Sequence, residues 1–449
     1  MSAVASLALP GTPEYAAATE VFNLAGPLHP AAAVTARTVA DVAAAIGAAK
    51  ASGLGVRVHS TGHASASVPA VDGSLLIRTA LDGDVEIDTA RRIARVPAGA
   101  CWGDVVRAAA PHGLTAPHGS SAHVGVVGYL LRGGLSFYGR ALGLGVNSVR
   151  AVELVTADGS LVRADAEADP DLFWALRGGG GGLGVVTAVE VALYPATTVV
   201  TGAAYWPGAH APALLRAWRE WTLTAPDAVT TSARIMNLPE HPQVPPPLAG
   251  RTTLVVDGAV LAEGDDREGA ERIAAELLGP LREIAVPVVD SWETTTPEAV
   301  LLAHGDPDDP VPIIGDHMLL SELGTEGVDA FLGVAGEGSG SGLIAAGLRQ
   351  LGGAFAVPDP SGGALSAVPA RYSYAGSAAP FVLTPAQIRA QLARVRAALT
   401  PWDTGLTVPS FVEDRDQPQR HMSARDAARA AAVRARVDPE GLFAGDVAP

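Results

Sequence analysis

The chain has 449 residues, of which 48% are hydrophobic and 17% are charged, and its 31 Lys and Arg against 47 Asp and Glu give a net charge of −16. A chain of this length is expected to form about two to three structural units, and the composition excludes a disordered protein. The negative charge repels phosphate backbones and anionic lipids, so neither nucleic acid nor a membrane is an expected partner.

Cysteine content and the N-terminal sequence favour a location inside the cell. The one cysteine, Cys101, excludes an intramolecular disulfide and suits a reducing compartment. The N-terminal stretch lacks the basic region and the apolar block of a signal peptide, which predicts a cytoplasmic protein. Residues 191–215 carry no formal charge, but Pro195, Pro207 and Gly208 interrupt them, so no transmembrane helix is predicted.

The first part of the chain is predicted to alternate short strands and helices with glycine-rich loops. Apolar residues at helical spacing predict a helix over 38–50, with Thr38 as its N-cap. Further helices are predicted over 102–111 and 169–177, the second capped by Asp169 with Pro170 at its first position. Strands are predicted at 74–79, 85–88, 93–96, 149–156, 159–163 and 185–194. Residues 117–144 are predicted to form a long glycine-rich loop, a kind of segment in which function concentrates.

The second part has longer elements. Residues 200–400 alternate strands and helices, with elements at 252–261, 266–278, 328–331 and 385–399 and Pro-rich or Gly-rich breaks at 239–247 and 336–342. This alternation predicts a second α+β domain. The tail from 423 to 437 is predicted to be a helix rich in Ala and Arg, followed by the sequence DPEGLF.

Three glycines satisfy a dinucleotide-binding pattern without its structural context. Gly179, Gly181 and Gly184 form G-x-G-x-x-G, but a predicted helix precedes them and a strand follows, the reverse of the order that a Rossmann fold requires. We expect these glycines to allow a close approach of the backbone to a flat ligand. His59 and His63 are four residues apart, but they lie in strand and turn rather than on a helix, so no metal site is predicted.

Residues 55–67, GVRVHSTGHASAS, form a short apolar strand that breaks into a loop of small, turn-prone residues. Local sequence leaves two interpretations of His63 open, a surface-loop imidazole and a ligand-binding group. Cys101 also has two interpretations: a thiolate that is stabilised at the predicted helix start, and a small apolar side chain that fills space. The chain contains no nucleophile elbow, P-loop or H-E-x-x-H motif, which excludes the commonest hydrolase and nucleotide-triphosphatase signatures.

Five blocks then occur in order along the chain: VTARTVADVAAAI (34–46), VRVHSTGHAS (56–65), PHGSSAHVGVVGYLLRGGLSFYGRALGL (117–144), VTADGSLVRADAEADPDLFWALRGGGGGLGVVT (155–187) and DPEGLF (438–443). Their combination resembles the FAD-linked oxidases of the vanillyl-alcohol oxidase/p-cresol methylhydroxylase (VAO/PCMH) fold, in particular the berberine-bridge-enzyme-like branch. The resemblance implies an α+β, two-domain fold. A PCMH-type FAD-binding domain of two α/β subdomains is expected over 1–197, and an antiparallel-sheet substrate domain covered by helices over 198–405. A C-terminal segment, 406–449, is expected to return to the FAD domain.

The resemblance also implies which residues hold FAD. In that family the loop equivalent to 59–64 wraps the FAD pyrophosphate with backbone amides, and the histidine equivalent to His63 is commonly bonded to the 8α-methyl group of the flavin. Backbone donors suit this task because they neutralise phosphate without lysines. The implied cofactor-binding residues are Val58, His59, Ser60, Thr61, Gly62, His63, Ala64, Gly119, Ser120, Ser121, Val124, Gly125, Gly128, Tyr129, Gly133, Gly134, Gly182, Gly184, Val185 and Val186.

The sequence departs from the family pattern in three places. Members with a second covalent flavin bond use a cysteine where this chain has Ser121, so attachment through His63 alone is expected. Many members carry a Tyr-x-Asn motif whose tyrosine works as, or beside, the general base, whereas the corresponding residues here, 408–411, are VPSF. An arginine that is common in the first flavin loop is replaced by His59.

The function that the resemblance implies is that of an FAD-dependent oxidoreductase. It would oxidise a small or medium organic substrate (an alcohol, an amine or a natural-product intermediate) by hydride transfer to flavin N5, and O2 would then be reduced to H2O2. The candidate catalytic bases are Tyr374, Tyr372 and His317, with Glu413 and Asp414 as further candidates. A dehydrogenase with another acceptor, a non-redox cyclase or lyase and a non-enzymatic binding protein are the alternatives. The composition, rich in Ala, Gly and Arg and poor in Lys, is typical of a high-GC bacterial protein and suggests secondary metabolism. The oligomeric state stays open.

Overall fold

The computed structural model describes residues 7–241, 244–262, 264 and 266–445. The predicted break at 239–247 therefore lies partly outside the described residues. Within the described part of the chain, no helix has the length and the apolar character needed to cross a membrane.

A small parallel sheet begins the fold. It contains β1 (Ala32–Ala36), β2 (Gly55–His59) and β3 (Ser74–Thr79) in the order β1-β3-β2, and it is accompanied by α1 (Pro13–Thr19) and α2 (Val39–Ala51). The predicted cap of α2 is present, since Thr38 and Asp41 each accept a backbone N–H from the other in a capping box. Strand β2 ends at His59, so the loop that carries His63 leaves the edge of this sheet.

The next strands form an antiparallel sheet of five, in the order β4-β5-β9-β7-β8. The elements of this region are β4 (Glu86–Asp88), β5 (Ile93–Pro97), α3 (Trp102–Ala109), β6 (Leu114–Thr115), α4 (Val126–Leu131), α5 (Gly139–Leu142), β7 (Val149–Val155), β8 (Leu161–Asp165), α6 (Pro170–Leu176), β9 (Val185–Ala192) and β10 (Tyr194–Pro195), which pairs with β6.

The prediction that residues 117–144 form one long loop was incomplete, because α4 and α5 interrupt it. Helix α4 forms because Val126, Tyr129 and Leu130, spaced at i, i+3 and i+4, are buried on one face in the core beneath the five-stranded sheet.

Residues 199–378 supply a large antiparallel sheet in the order β14-β11-β13-β12-β17-β18-β16, with β15 beside β11. Its strands are β11 (Val199–Pro207), β12 (Val229–Asn237), β13 (Thr252–Leu261), β14 (Val289–Asp290), β15 (Glu293–Thr295), β16 (Ile314–Leu320), β17 (Ala345–Gln350) and β18 (Tyr372–Ala378). The helices that follow β10 are α7 (Ala211–Thr222), α8 (Arg267–Ile284), α9 (Val300–Ala303), α10 (Thr325–Ala335), α11 (Pro385–Leu399) and α12 (Ala424–Val437).

The two faces of the large sheet have different roles. Alternate side chains of β12, β17 and β18, such as Ile235, Leu348 and Tyr374, pack with residues of α7, α8, α10 and α11 in the largest apolar core. Because side chains alternate across a strand, the residues between them face the opposite side of the sheet. That opposite face is open and forms the floor of a cleft.

The last described residues pack on the first sheet. Leu442 and Phe443 pack in its apolar core, and Val56 N–H donates to the Leu442 carbonyl at 2.8 Å. Asp438 holds this turn by accepting the backbone N–H groups of both Leu442 and Phe443.

Candidate active site

A cleft of about 1410 Å³ lies between the open face of the large sheet and three segments that face it. These segments are the His63 loop (residues 59–67), the glycine-rich loop (residues 117–134) and the acidic segment (residues 304–313). The volume exceeds the roughly 300–1,000 Å³ of a pocket for one drug-sized ligand, so a cofactor and a substrate can share it.

The floor of the cleft consists of three cross-strand rows on β12, β17 and β18. Because directly opposed residues in an antiparallel pair point to the same face, the register fixes which side chains enter the cleft. The rows are Ser232–Arg349–Ser373, Arg234–Gly347–Ala375 and Met236–Ala345–Ser377. The floor therefore changes from polar residues in the first row to smaller and more apolar residues in the third.

The His63 loop is held against the N-terminal segment by backbone contacts. Gly62 has φ +73, and a Cβ there would lie 2.6 Å from Val21 Cβ, so only glycine fits at this position. Phe22 N–H donates to the Thr61 carbonyl at 2.9 Å. His59, the residue that replaces the family arginine, hydrogen-bonds through Nε2 to the Ala18 carbonyl at 2.8 Å, and burial lowers its pKa to about 4. His59 is thus a neutral group that fixes the start of the loop.

His63 is held as a neutral ring at the wall of the cleft. Its ring stacks on Phe22 with the ring centres 3.9 Å apart, and its Nε2 lies 3.2 Å from the His123 carbonyl. Because a carbonyl can only accept a hydrogen bond, Nε2 carries the ring proton and Nδ1 carries the lone pair. Burial lowers the pKa of His63 to about 4, against the opposing effects of the His123 carbonyl and Asp306. The ring is therefore uncharged and nucleophilic at neutral pH.

The glycine-rich loop contacts the His63 loop closely. A Cβ at Gly125 would lie 2.5 Å from Ser60 Oγ, so Gly125 lies directly against the Ser60 side chain. Gly128 lines the cleft, and a Cβ there would meet no atom within 4 Å. The Tyr129 hydroxyl is buried and has no hydrogen-bond partner among the described residues. An open glycine backbone and an unpartnered hydroxyl along one wall fit a polar ligand such as FAD.

The acidic segment is a site component that sequence reasoning missed. Asp306 accepts a hydrogen bond from Ser120 Oγ at 2.6 Å, and Asp308 lies 3.4 Å from His123 Nε2. Val311 exchanges backbone hydrogen bonds with Phe22 and Leu24. The segment therefore ties the large sheet to both loops. The only signal in the sequence was its composition, HGDPDDPVP.

Arg349 was also missed. It is buried at 6% exposure in the first row of the floor, where its guanidinium lies 4.2 Å from the Phe137 ring centre and donates to the Leu135 carbonyl at 3.0 Å. The sequence analysis predicted no strand at residues 345–350, and the face to which Arg349 points depends on the register of β17.

Fourteen of the twenty predicted cofactor residues line the cleft, namely 58–64, 119–121, 124, 125, 128 and 129. The other six do not: Gly133, Gly134, Gly182, Gly184, Val185 and Val186. Gly133 and Gly134 pack against Val408 and Tyr129, and Val185 and Val186 are buried in the cores beneath the two smaller sheets.

The glycine run at 178–184 packs against protein rather than against the cleft. A Cβ at Gly182 would lie 2.9 Å from Arg434 Nε, and one at Gly184 would lie 2.8 Å from the Val155 carbonyl oxygen. Arg434 donates to the carbonyls of Gly179 and Gly181. The backbone at these glycines does approach its neighbours closely, as expected, but the neighbours are helix α12 and strand β7 and not a flat ligand. The rejection of a Rossmann fingerprint agrees with the structure, since α6 precedes these glycines and β9 follows them.

The three primary catalytic predictions disagree with the structure. Tyr372 and Tyr374 point into the helix-covered core on the far side of the sheet, where the Tyr372 hydroxyl bonds Thr222 at 2.6 Å. His317 pairs with Ala375 and so points to the cleft face, but Val408 and Phe411 cover it. Its Nδ1 donates to the Tyr374 carbonyl and its Nε2 accepts Val408 N–H. None of the three side chains is available to a substrate.

Among the further candidates, Glu413 lines the cleft and Asp414 does not. Asp414 instead accepts a hydrogen bond from Arg389 at 3.1 Å.

Cys101 is a neutral thiol. Burial raises its pKa to about 11, and Sγ donates to the same His123 carbonyl that His63 contacts. The interpretation of Cys101 as a stabilised thiolate therefore disagrees with the structure. Within the described ranges, no group of three His, Cys, Asp or Glu side chains is placed to hold a metal ion.

Comparison with known proteins agrees with this architecture. Residues 30–165 match the family described as FAD binding domain. The chain is 39% identical over 154 residues to (R)-6-hydroxynicotine oxidase of Paenarthrobacter nicotinovorans, a match that covers 34% of each chain. The chain thus spans only about a third of the length of this curated relative.

Solved structures match almost the whole chain. Physcomitrella patens BBE-like 1 superposes with a TM-score of 0.80 at 21% identity, over 98% of this chain and 96% of that one. Glucooligosaccharide oxidase from Acremonium strictum, whose FAD is described as 6-S-cysteinyl and 8α-N1-histidyl, superposes with a TM-score of 0.77 at 18% identity over the same shares. These findings confirm the predicted fold class. Residues 30–165 match the FAD binding domain family, and the chain has the VAO/PCMH fold of these solved structures.

Proposed function

We propose that this protein is an FAD-dependent oxidoreductase that oxidises a small or medium organic substrate, an alcohol or an amine, and passes the electrons to O2 with formation of H2O2. The observation that carries the proposal is the shared cleft, in which the two loops of the FAD binding domain face the open side of the large sheet. We assign residues 1–197 to FAD binding, 198–405 to substrate binding and 406–449 to a segment that returns to the FAD domain.

FAD would be held mainly by backbone groups of the two loops, supplemented by the Ser120 and Tyr129 hydroxyls. Backbone N–H groups suit the diphosphate of FAD because they neutralise its charge at short range. When bound, FAD supplies an acceptor for a hydride ion, and the protein supplies orientation and proton transfer. The acidic segment closes over the loops and would shield the reacting atoms from water.

We further propose that His63 bonds covalently to the 8α carbon of the flavin. A neutral ring with a lone pair on Nδ1 is the form of histidine that can attack carbon. The new bond would replace one C–H bond of the 8α-methyl group, whose hydrogen would leave as a proton and whose two electrons would pass to O2. The Nε2 hydrogen bond to His123 points to Nδ1 as the bonded atom. Because residue 121 is serine, no sulfur atom is present at this position to form a second covalent bond to the flavin. Similarity to the histidyl-FAD oxidase named above supports the first bond.

The substrate would lie on the sheet floor. The third row contains Met236, and the exposed Phe381 and Val382, at 69% and 85% exposure, also line the cleft. Apolar side chains at the mouth of a cleft suit an apolar part of a ligand. We therefore expect a substrate with one oxidisable polar group and one apolar part.

The test starts with the purified protein. We expect a yellow protein whose colour stays with the polypeptide after acid precipitation, since a covalent bond survives unfolding. In air, a panel of alcohols and amines should contain compounds that yield H2O2, measured with a coupled peroxidase. A colourless protein would contradict the proposal. Flavin that is reduced without peroxide formation would indicate a dehydrogenase with another acceptor.

A further inference from the structure

Glu413 differs from Asp306 and Asp316, the other carboxylates of the cleft that are not exposed, because its side chain forms no hydrogen bond or ion pair in the described part of the chain. Asp306 accepts from Ser120, and Asp308 faces His123. Asp316 is paired with Arg396. No hydrogen bond or ion pair joins the Glu413 side chain to another described residue, and Glu413 is one of the residues that line the cleft. A carboxylate beside an open cavity that makes no hydrogen bond to protein is available to a ligand.

The backbone around Glu413 is fixed from both sides. Ser410 N–H donates to the Arg132 carbonyl at 2.9 Å, and Ser410 Oγ accepts Gly134 N–H at 3.1 Å. A Cβ at Gly315 would lie 2.9 Å from Glu413 Cγ, so the absence of a side chain at Gly315 makes room for the Glu413 stem. The carboxylate is therefore placed by tertiary contacts and not by its own charge partners.

The environment brings this carboxyl group into the range of a working base. Burial raises the pKa of Glu413 to about 7, and Asp306 adds to this effect while Arg132 opposes it. The neighbouring His317 is neutral because burial lowers its pKa to about 4. General bases work best when their pKa lies near the working pH, because they are then both ionised and basic enough to take a proton.

We propose that Glu413 is the general base of the oxidation, which rests on the proposed function. In the step, the substrate C–H bond breaks and the hydrogen leaves with both electrons toward bound FAD. The O–H or N–H bond of the same substrate breaks as well, and its proton moves to the Glu413 carboxylate. A C=O or C=N bond forms, so the substrate loses two electrons and FAD gains two. O2 accepts these electrons afterwards, and with two protons it becomes H2O2.

The role restricts the substrate class. A base beside the reacting carbon is useful only when the oxidised group loses a proton, as an alcohol or a neutral amine does. Tertiary amines and ethers have no such proton. They would gain nothing from Glu413.

The test begins with the titration of the carboxyl group itself and needs no substrate. Protein that carries FAD is labelled with 13C at the glutamate carboxyl carbon, and its NMR spectrum is followed against pH for the wild type and for Glu413→Gln. We expect one resonance that titrates near neutral pH in the wild type and is missing from the variant. If every glutamate titrates near its ordinary value of about 4.3, the proposal is overturned.

The second arm measures anaerobic flavin reduction by benzyl alcohol, benzylamine and their longer homologues. For compounds that reduce the wild-type flavin, Glu413→Gln should reduce it about 10² to 10⁴ times more slowly, and the fall in rate at acidic pH should vanish. Glu413→Asp, which keeps the carboxylate, should recover part of the rate. The matched control is Asp414→Asn, whose side chain lies outside the cleft, and it should behave as the wild type.

The two levels of the hypothesis fail differently. Undiminished reduction in Glu413→Gln with normal flavin content would overturn the role of Glu413 and leave the oxidoreductase intact. Colourless protein, or bound flavin that no alcohol or amine reduces, would contradict the proposed function, and in the second case the carboxyl titration would still report on Glu413. Equal flavin content and equal unfolding midpoints in the variants exclude loss of folding as the cause of a slower rate.

Discussion

Two tyrosines of β18 provide a sharp test of which sheet face carries the site. Tyr372 and Tyr374 both point into the helix-covered core, and each is at most 2% exposed. The Tyr372 hydroxyl bonds Thr222 Oγ1 at 2.6 Å, whereas the Tyr374 hydroxyl has no hydrogen-bond partner among the described residues. Replacing each with phenylalanine removes one oxygen atom from the same core but should change stability in opposite directions.

The magnitudes follow from the hydrogen bonds. A buried hydroxyl without a partner costs about 1–3 kcal/mol of folding free energy, so Tyr374→Phe should raise the free energy of unfolding by about 1 kcal/mol. Tyr372→Phe removes a made hydrogen bond, which contributes about 0.5–1.5 kcal/mol, and should lower the free energy of unfolding by about 1 kcal/mol. Thr222 keeps its other bond, to the Arg219 carbonyl, so its hydroxyl is not left unpaired.

Urea unfolding, followed by tryptophan fluorescence, measures both changes as shifts of the midpoint at constant slope. Neither variant should alter flavin content or the rate of flavin reduction. A tenfold loss of that rate in Tyr374→Phe would refute the assignment of this side chain to the core side. A loss of stability above about 1 kcal/mol in the same variant would refute the claim that its hydroxyl is unpaired.

The remaining predictions concern the flavin link and the buried ion pair between Arg234 and Asp257. His63→Ala should lose its yellow colour on acid precipitation, whereas the wild-type pellet should stay yellow; a yellow variant pellet would place the bond elsewhere. Ser121→Cys should form a second flavin bond, detected as flavin that stays on the polypeptide when it is combined with His63→Ala. Asp257→Asn should lower the free energy of unfolding by about 3–5 kcal/mol, measured by urea unfolding, because it leaves the buried Arg234 without its carboxylate. Burial alone would raise the pKa of Asp257, but Arg234 and His304 hold this pKa well below its usual value. The contribution of the ionised Asp257 to the free energy of unfolding is therefore present above about pH 4, and it is lost as the pH falls toward the pKa of Asp257 in the folded protein. A wild type that is no less stable at pH 3 than at pH 7 would contradict this.

Elements with strong local signals were predictable from sequence to the residue. The bounds of β3, β13 and α11 match the predicted ones because alternation, capping and flanking turns are encoded within a few residues. Helix α4 was not predicted, because its six residues carry two apolar pairs and a glycine, and only the core beneath it selects the helix. Short elements depend on tertiary contacts that no local window contains.

The predicted cofactor residues also differ in whether local sequence or tertiary contacts determine their role. The His63 loop and the first part of the glycine-rich loop were predicted from motif resemblance, and they line the cleft. Gly182 and Gly184 have equally strong glycine signals, but the groups that require glycine there are Arg434 and Val155. A glycine in a sequence shows that space is needed, and the neighbour that needs it is visible only in three dimensions.

The catalytic predictions failed for two geometric reasons, the face to which a strand side chain points and the segment that covers it. Side chains along a strand alternate between the two faces of the sheet, so Tyr372 and Tyr374 point to the same face. In this register that face packs against the helices, so neither tyrosine reaches the cleft. His317 points to the opposite face and would reach the cleft if residues 408–413 did not cover this strand. Residues 408–413 lie over β16, so they displace His317 from the cleft and present Glu413 in its place. The chemical group that this edge of the sheet offers to a substrate is therefore set by a segment about ninety residues further along the chain, which places Glu413 and covers His317 in one packing arrangement.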